Sequence, residues 1–420
     1  MSSSRESSNN GGPGPNSPVE EGRIVSDGPL DTKTELEHHI PSMAATPEAF
    51  FAEDTSDADR NGLRQLADAC YGWGHSTVHT ELIALKHIYA SFDPDQDRNS
   101  PFPLSEADIA DKLESFFMTF ASVLKKANYV RLSREDFERI IKGASYWGVD
   151  MDVCFEAFDR LDVYVRGFAT GTRTRRIWYK GFKKKEISVP TFDRVVIVLR
   201  QSPHVRLGSD ADTRNVFIKF FKDIPQMDIE MLLPGTRLKM PLFSRLKLGG
   251  SGLGSLGWVG YKLSGFSLGA LGGAALSGSL IGLITLAAPL TLIVGYGYRT
   301  FSSFQNTRKT YQLQLHQSLY YQNLDNNAGV LFRIADKAEE QEGRELFVGY
   351  GTLWKAGPMG LTADELDRAA DAHLARQLVR PVDFDTPEIL ANLLEAKIVE
   401  KQGDRYVAVP IDLAIKRLVG

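Results

Sequence analysis

The chain has 420 residues, with 49 Lys and Arg against 53 Asp and Glu, a formal net charge of −4, and hydrophobic and charged fractions of 43% and 24%. That length leaves room for two or three domains, and the ordinary apolar content excludes a multi-span transporter. The slightly acidic balance argues against nucleic acid as the partner of the whole chain, and two cysteines, Cys70 and Cys154, are too few for a disulfide framework.

Residues 1–30 open with MSSSRESSNNGGPGPNSP, rich in Ser, Asn, Gly and Pro, and cannot bury enough apolar surface to offset ordering entropy. A disordered tail is expected, without the apolar core of a secretory signal. From Pro47 onward Phe50, Leu63, Leu66 and Ala67, then Leu82, Leu85, Ile88 and Tyr89, recur at helical spacing, and a third helix is expected over Glu106 to Ala127. In RLSREDFERIIKGA, Ser133 stands as N-cap with Asp136 at the capping-box position and Gly143 near the end. Beyond Trp147 the segments RLDVYVRGF, EISVPTFDRVVIVLR and NVFIKFFKDIP read as strands. Their connections are too short for crossover helices, so the sheet should be antiparallel. The expected first domain is α+β, spanning 31–247.

Leu263 to Tyr298 carries no charged residue. Helical rise makes such a stretch long enough to cross a hydrocarbon core of about 30 Å. Arg237, Lys239, Arg245 and Lys247 precede it and Arg299, Arg308 and Lys309 follow, which under the positive-inside rule puts both ends on one face. These features predict a transmembrane helical hairpin within 248–299, with spans at 256–277 and 280–298. They imply a multi-pass membrane protein with both termini on the cytoplasmic or equivalent face. Gly265, Gly269 and Gly273, then Gly278 and Gly282, follow the GxxxG spacing that lets two helix backbones meet in lipid.

After it, 300–355 is expected to be helical, with Leu331, Ile334, Ala335 and Ala338 on one face and Asp336, Lys337, Glu339 and Glu340 opposite. Residues 356–420 follow the order helix, helix, short hairpin around Gly403, which resembles a winged helix. Its second helix carries Glu388 and Glu395 against Lys397, so a protein partner or a homo-oligomer contact is expected there rather than DNA.

Among chemistry-bearing residues, Arg173, Arg175, Arg176, Lys180, Lys183, Lys184 and Lys185 form an acid-free basic run interleaved with Trp178, Tyr179 and Phe182. Cations and aromatics in that pattern suit an anionic lipid surface, a single-stranded RNA, or simply a solvated hairpin tip. His75 and His79 stand at i, i+4 with Glu81 and His87 nearby, but the HExxH order is absent and no third ligand is fixed by spacing, so no metal is assigned. Asp93, Asp95 and Asp97 imitate a calcium loop, yet Arg98 and Leu104 occupy the positions that need Gly and Glu. A turn at Asp93-Pro94 is expected instead. Asp223, Asp228 and Glu230 are read as capping residues or partners of Arg237 and Lys239.

The strings YASFDPDQD (Tyr89 to Asp97), KKKEISVPTFDRVVIVLR (Lys183 to Arg200), FIKFFKDIPQMDIEMLLPGT (Phe217 to Thr236) and QSLYYQNLDNNAGVLFRIADKAEEQE (Gln317 to Glu342) resemble the domain of unknown function 3754 family, including transmembrane protein 143-like proteins. The resemblance implies a membrane-associated protein without established activity, cofactor or catalytic residues. Some plant relatives carry an aminopeptidase label, and no metal-ligand or nucleophile motif here matches it. The expected function is thus a membrane-anchored scaffold or adaptor, with a membrane-associated hydrolase as the alternative.

Overall fold

The computed structural model describes residues 38–41, 51, 56–96, 105–145, 150–177, 183–209, 211–239, 302, 320–378 and 382–420. Helix α1 runs Asp57–Tyr89, capped by Ser56, whose hydroxyl accepts the Asp59 N–H. It is one continuous helix despite Gly62, Gly72 and Gly74, because tertiary packing overrides the weak helix preference of glycine. Helix α2 is Glu106–Lys126, strand β1 Val130–Arg131, and α3 Arg134–Ser145. Ser133 accepts the Asp136 N–H at 3.1 Å and donates to its carboxylate at 2.6 Å.

Strands β2 (Asp150–Asp152), β3 (Phe158–Ile177), β4 (Lys183–Gln201) and β5 (Val216–Pro225) follow. Then come a 3-10 turn at Gln226–Leu232, β6 (Arg237–Lys239), β7 (Asn323–Asn326) and α4 (Ala328–Ala356). The five-stranded sheet has the order β1-β3-β4-β5-β7, every neighbouring pair antiparallel, while β2 pairs with β6. Both faces are covered, which is why β4 reads VVIVL without polar alternation. Val196, Val198, Ile218 and Phe220 pack with Leu85, Phe116, Phe120 and Ile334 of α1, α2 and α4. Their strand neighbours Val195, Ile197, Leu199 and Phe221 point the other way, onto Phe137, Ile229 and Leu232.

The C-terminal residues form α5 (Ala363–Gln377), α6 (Thr386–Glu395), a hairpin of β8 (Val399–Gln402) and β9 (Arg405–Ala408), and α7 (Ile411–Val419). Gly403 turns the hairpin at φ 68°, and Leu361 bridges to Tyr406 as a third, minimal strand. Residues 356–420 thus run helix, helix, hairpin, helix, with the second half of α4 leading into them. Leu63, Leu66 and Cys70 of α1 share a core with Leu346, Phe347 and Tyr350 of α4 and Leu366, Ile389 and Leu393 of this module. The first described helix and the last residues of the chain therefore form one hydrophobic unit. The buried Tyr350 hydroxyl donates to the Val409 carbonyl at 2.6 Å. Tyr350→Phe leaves that acceptor unpaired and is expected to cost about 1–2 kcal/mol in chemical denaturation.

Two expectations are corrected. The segment before α4 is not all helix: Asn323–Asn326 adds an edge strand to β5, and Asn327 enters α4 with φ 49°. Asparagine and aspartate favour such non-helical backbone, and pairing with β5 decides the matter. Second, among the described residues no helix is long and apolar enough to cross a membrane. The longest described helices, α1 and α4, are amphipathic and packed on each other. The transmembrane hairpin and the multi-pass membrane placement are accordingly not supported. Residues 248–299, with Gly265, Gly269, Gly273, Gly278 and Gly282, lie outside the described residues.

Candidate functional site

Helices α1 and α4 run antiparallel and touch backbone to backbone. A Cβ at Gly74 would stand 2.7 Å from the Glu339 carbonyl, and one at Gly343 would stand 2.8 Å from the Tyr71 ring. Around this contact α4 buries Gln341, Glu342, Arg344 and Glu345, a run of polar residues in a helix interior. Glu342, Arg344 and Glu345 are held by groups from distant elements. Asn128, in the left-handed conformation after α2, donates to the Glu345 carboxylate and to the His38 carbonyl, both at 2.9 Å. Gln341 donates to the same Glu345 oxygen at 2.7 Å. Asn392 of α6 donates to Glu342 at 2.8 Å, and Arg344 reaches the Ile40 carbonyl and Glu340. Lys126 pairs with Glu81 at 2.5 Å, and Lys125 pairs with Glu388 at 2.8 Å.

Burial dominates the electrostatics of this seam. It pushes the Glu345 carboxyl up to about 8, with Glu342 adding to the shift while Gln341 and Asn128 oppose it. Glu342 is raised to about 7 by the same desolvation, Lys126 opposing and Glu388 and Glu81 adding. His39 moves the other way, down to about 3, because burial and then Arg166 and Arg344 penalise its cation. Two carboxyls poised near neutrality are the pattern expected of acid–base sites. Here, however, their partners are structural amides from α2, α4 and α6, and they knit those elements together. The arrangement binds helices to one another and presents no nucleophile.

Two clusters have metal-ligand composition. His75 and His79 of α1 meet Glu339 of α4, with ligand atoms all within 4.8 Å of one another. Cys154, Glu156 and His204 form the other, with Cys154 Sγ 3.6 Å from His204 Nε2. This second group also resembles a nucleophile–base pair. The Arg206 backbone N–H donates to His204 Nδ1 at 3.1 Å, so the proton of the neutral ring sits on Nε2, facing the sulfur. That tautomer offers Cys154 no lone pair to take its proton, and none to a metal.

A groove of about 520 Å³ lies between β1, α3 and β3, floored by Phe137, Phe155 and Phe158. Its arginines are already engaged: Arg131 with Asp162 at 2.6 Å, Arg160 with Glu114, and Arg134 with Glu138 and over the Phe155 ring.

Of the basic run, Arg173, Arg175 and Arg176 lie on β3 and Lys183, Lys184 and Lys185 on β4, with Arg175 opposite Lys185 and Arg176 opposite Lys184. Lys180 lies outside the described residues. The β4–β5 pairing ends at Thr191 and β1 meets β3 only at Tyr164 and Val165. Among the described strands, the β3–β4 ribbon beyond Thr170 and Pro190 therefore has no neighbour on either edge. Asp93 accepts the Asp95 N–H at 3.0 Å in a turn, and Asp95 accepts from Asn327. Asp228 and Glu230 are buried within the 3-10 turn, while Asp223 is exposed.

Sequence reading missed Glu339 as a neighbour of His75, and it missed Glu342, Glu345, Asn128 and His39 entirely. One signal was available. The polar run EEQEGRE continues without a break into LFVGYGTL, so charged residues stand where the helix is already entering a core.

Residues 192–329 match the model of the family described as "Protein of unknown function (DUF3754)". The resemblance read from the sequence thus holds over this segment, which runs from β4 through β7 to the start of α4. The narrower likeness to transmembrane protein 143-like proteins is not shown. No solved structure matches the chain. The family description assigns no activity, and the biochemical activity of this domain is unknown.

Proposed function

We propose that the chain is a non-catalytic adaptor that uses the basic β3–β4 ribbon to engage anionic lipid headgroups, with the winged-helix-like module as its protein-binding end. The observation behind this reading is the ribbon. Two paired strands run on past the edges of the sheet and gather cations on both, Arg175 across from Lys185 and Arg176 across from Lys184. Like charges on facing positions repel, and a counter-charged surface would offset that repulsion. Each lysine or arginine next to an anionic bilayer contributes roughly 1 kcal/mol.

The module supports the second half of the proposal. Its α6, the helix that would enter a DNA groove, is tied inward through Glu388 to Lys125 and Asn392 to Glu342. Its outer surface exposes Met359, Leu394, Leu413 and Val419. Among the described residues no arrangement of nucleophile and base favours the hydrolase alternative. Flotation with vesicles containing phosphatidylserine tests the lipid reading. The full chain is expected to float with anionic but not neutral vesicles, and K183E/K184E/K185E should weaken binding on the order of 100-fold. Equal flotation of both proteins would remove the proposal.

A further inference from the structure

We propose that His75, His79 and Glu339 form a binding site for a divalent transition-metal ion of the zinc type, clamping α1 to α4. The two histidines lie one turn apart on α1, with ring centroids 5.1 Å apart, and His75 Nδ1 is 2.9 Å from Glu339 Oε2. All three ligand atoms fall within 4.8 Å of one another. Zinc takes imidazole nitrogen and carboxylate oxygen at about 2.0–2.2 Å in a tetrahedron, which sets donors roughly 3.4 Å apart. The side chains that would close on an ion are exposed, or half-buried for Glu339.

Gly74, adjacent to His75, is in contact with the Glu339 carbonyl itself. The close helix crossing therefore carries the third ligand to the histidine pair and holds it on rigid elements, the condition for a preorganised site. Without the ion the Glu339 carboxylate pairs with His75 Nδ1; with it, the same carboxylate ligates the ion and offsets its charge. The ligand set of two nitrogens and one oxygen also admits copper and nickel, in keeping with the general order of affinities.

The test uses the metal-free full chain titrated with zinc against a chromophoric chelator. The wild type should take up one zinc equivalent at this site, with H75A and H79A each weakening it at least tenfold and E339Q by about tenfold. C154S should leave the titration unchanged. Zinc should also raise the melting temperature of the wild type in a concentration-dependent way, since an ion that binds only the folded state stabilises it. Identical zinc titrations and identical melting shifts for the wild type and H79A would overturn the proposal and leave a plain His75–Glu339 ion pair. Melting curves without zinc show whether each variant is folded.

Discussion

Replacing Glu345 with Gln is expected to raise the melting temperature at pH 8 and to change it little at pH 5. The carboxyl titrates at about 8 in the folded protein against an ordinary 4.5, with burial as the main cause. A raised carboxyl pKa means that the folded state holds its proton while the unfolded state releases it. No stability is lost below about pH 4.5; the penalty grows as pH rises and levels off above about pH 8. Between pH 5 and pH 8 it amounts to about 3 kcal/mol, which the neutral amide avoids. Glu342 acts in the same direction over a window ending near pH 7. His39 acts oppositely: its folded value near 3 lies below 6.5, so stability falls as pH drops through that range. Thermal unfolding of wild type and Glu345→Gln at both pH values decides the matter. An equal gain at both would mean that the substitution acts through packing rather than titration.

Gly74→Ala should destabilise the protein by about 1–3 kcal/mol, whereas Gly72→Ala, two residues away on the same helix, should stabilise it by up to about 1 kcal/mol. The added Cβ at Gly74 meets the Glu339 carbonyl at 2.7 Å and the Gly343 nitrogen at 3.1 Å, both backbone atoms of a packed helix that cannot step aside. At Gly72 nothing lies within 4 Å, so only the helix preference of alanine is felt. Denaturant unfolding of the two variants compares them directly. Matching signs would show that α1 and α4 are not in backbone contact.

Local pattern was enough for much of the architecture. The Ser133 cap, the helix over Glu106 to Lys126, the three long strands and the hairpin at Gly403 all follow from periodicity and turn chemistry that a short window contains. The candidate sites were less legible. His75 and His79 advertise themselves by spacing, yet Glu339 lies 264 residues from His75, and no local signal links them. Glu342 and Glu345 stand in a polar run that gives no sign of the groups that bury them. Their burial is set by α2 and α6, whose Asn128 and Asn392 close over them.

The expectation of two membrane spans rested on apolar length and glycine spacing within residues 248–299, which lie outside the described residues; among the described residues no helix is long and apolar enough to cross a membrane. The glycine-mediated helix contact that the described residues do contain, Gly74 against α4, sits between two amphipathic helices whose polar residues pack inward as well as outward. Amino-acid order by itself determined most of the helices, the three long strands and the antiparallel sense of their pairing, because hydrogen-bond geometry and hydrophobic periodicity act over a few residues, while the short edge strands β1 and β7 were decided by pairing within the folded sheet. Only the tertiary structure decided which charges are buried, which glycines must stay glycine and which ligands meet. Those outcomes depend on surfaces that come together after hundreds of residues of intervening chain.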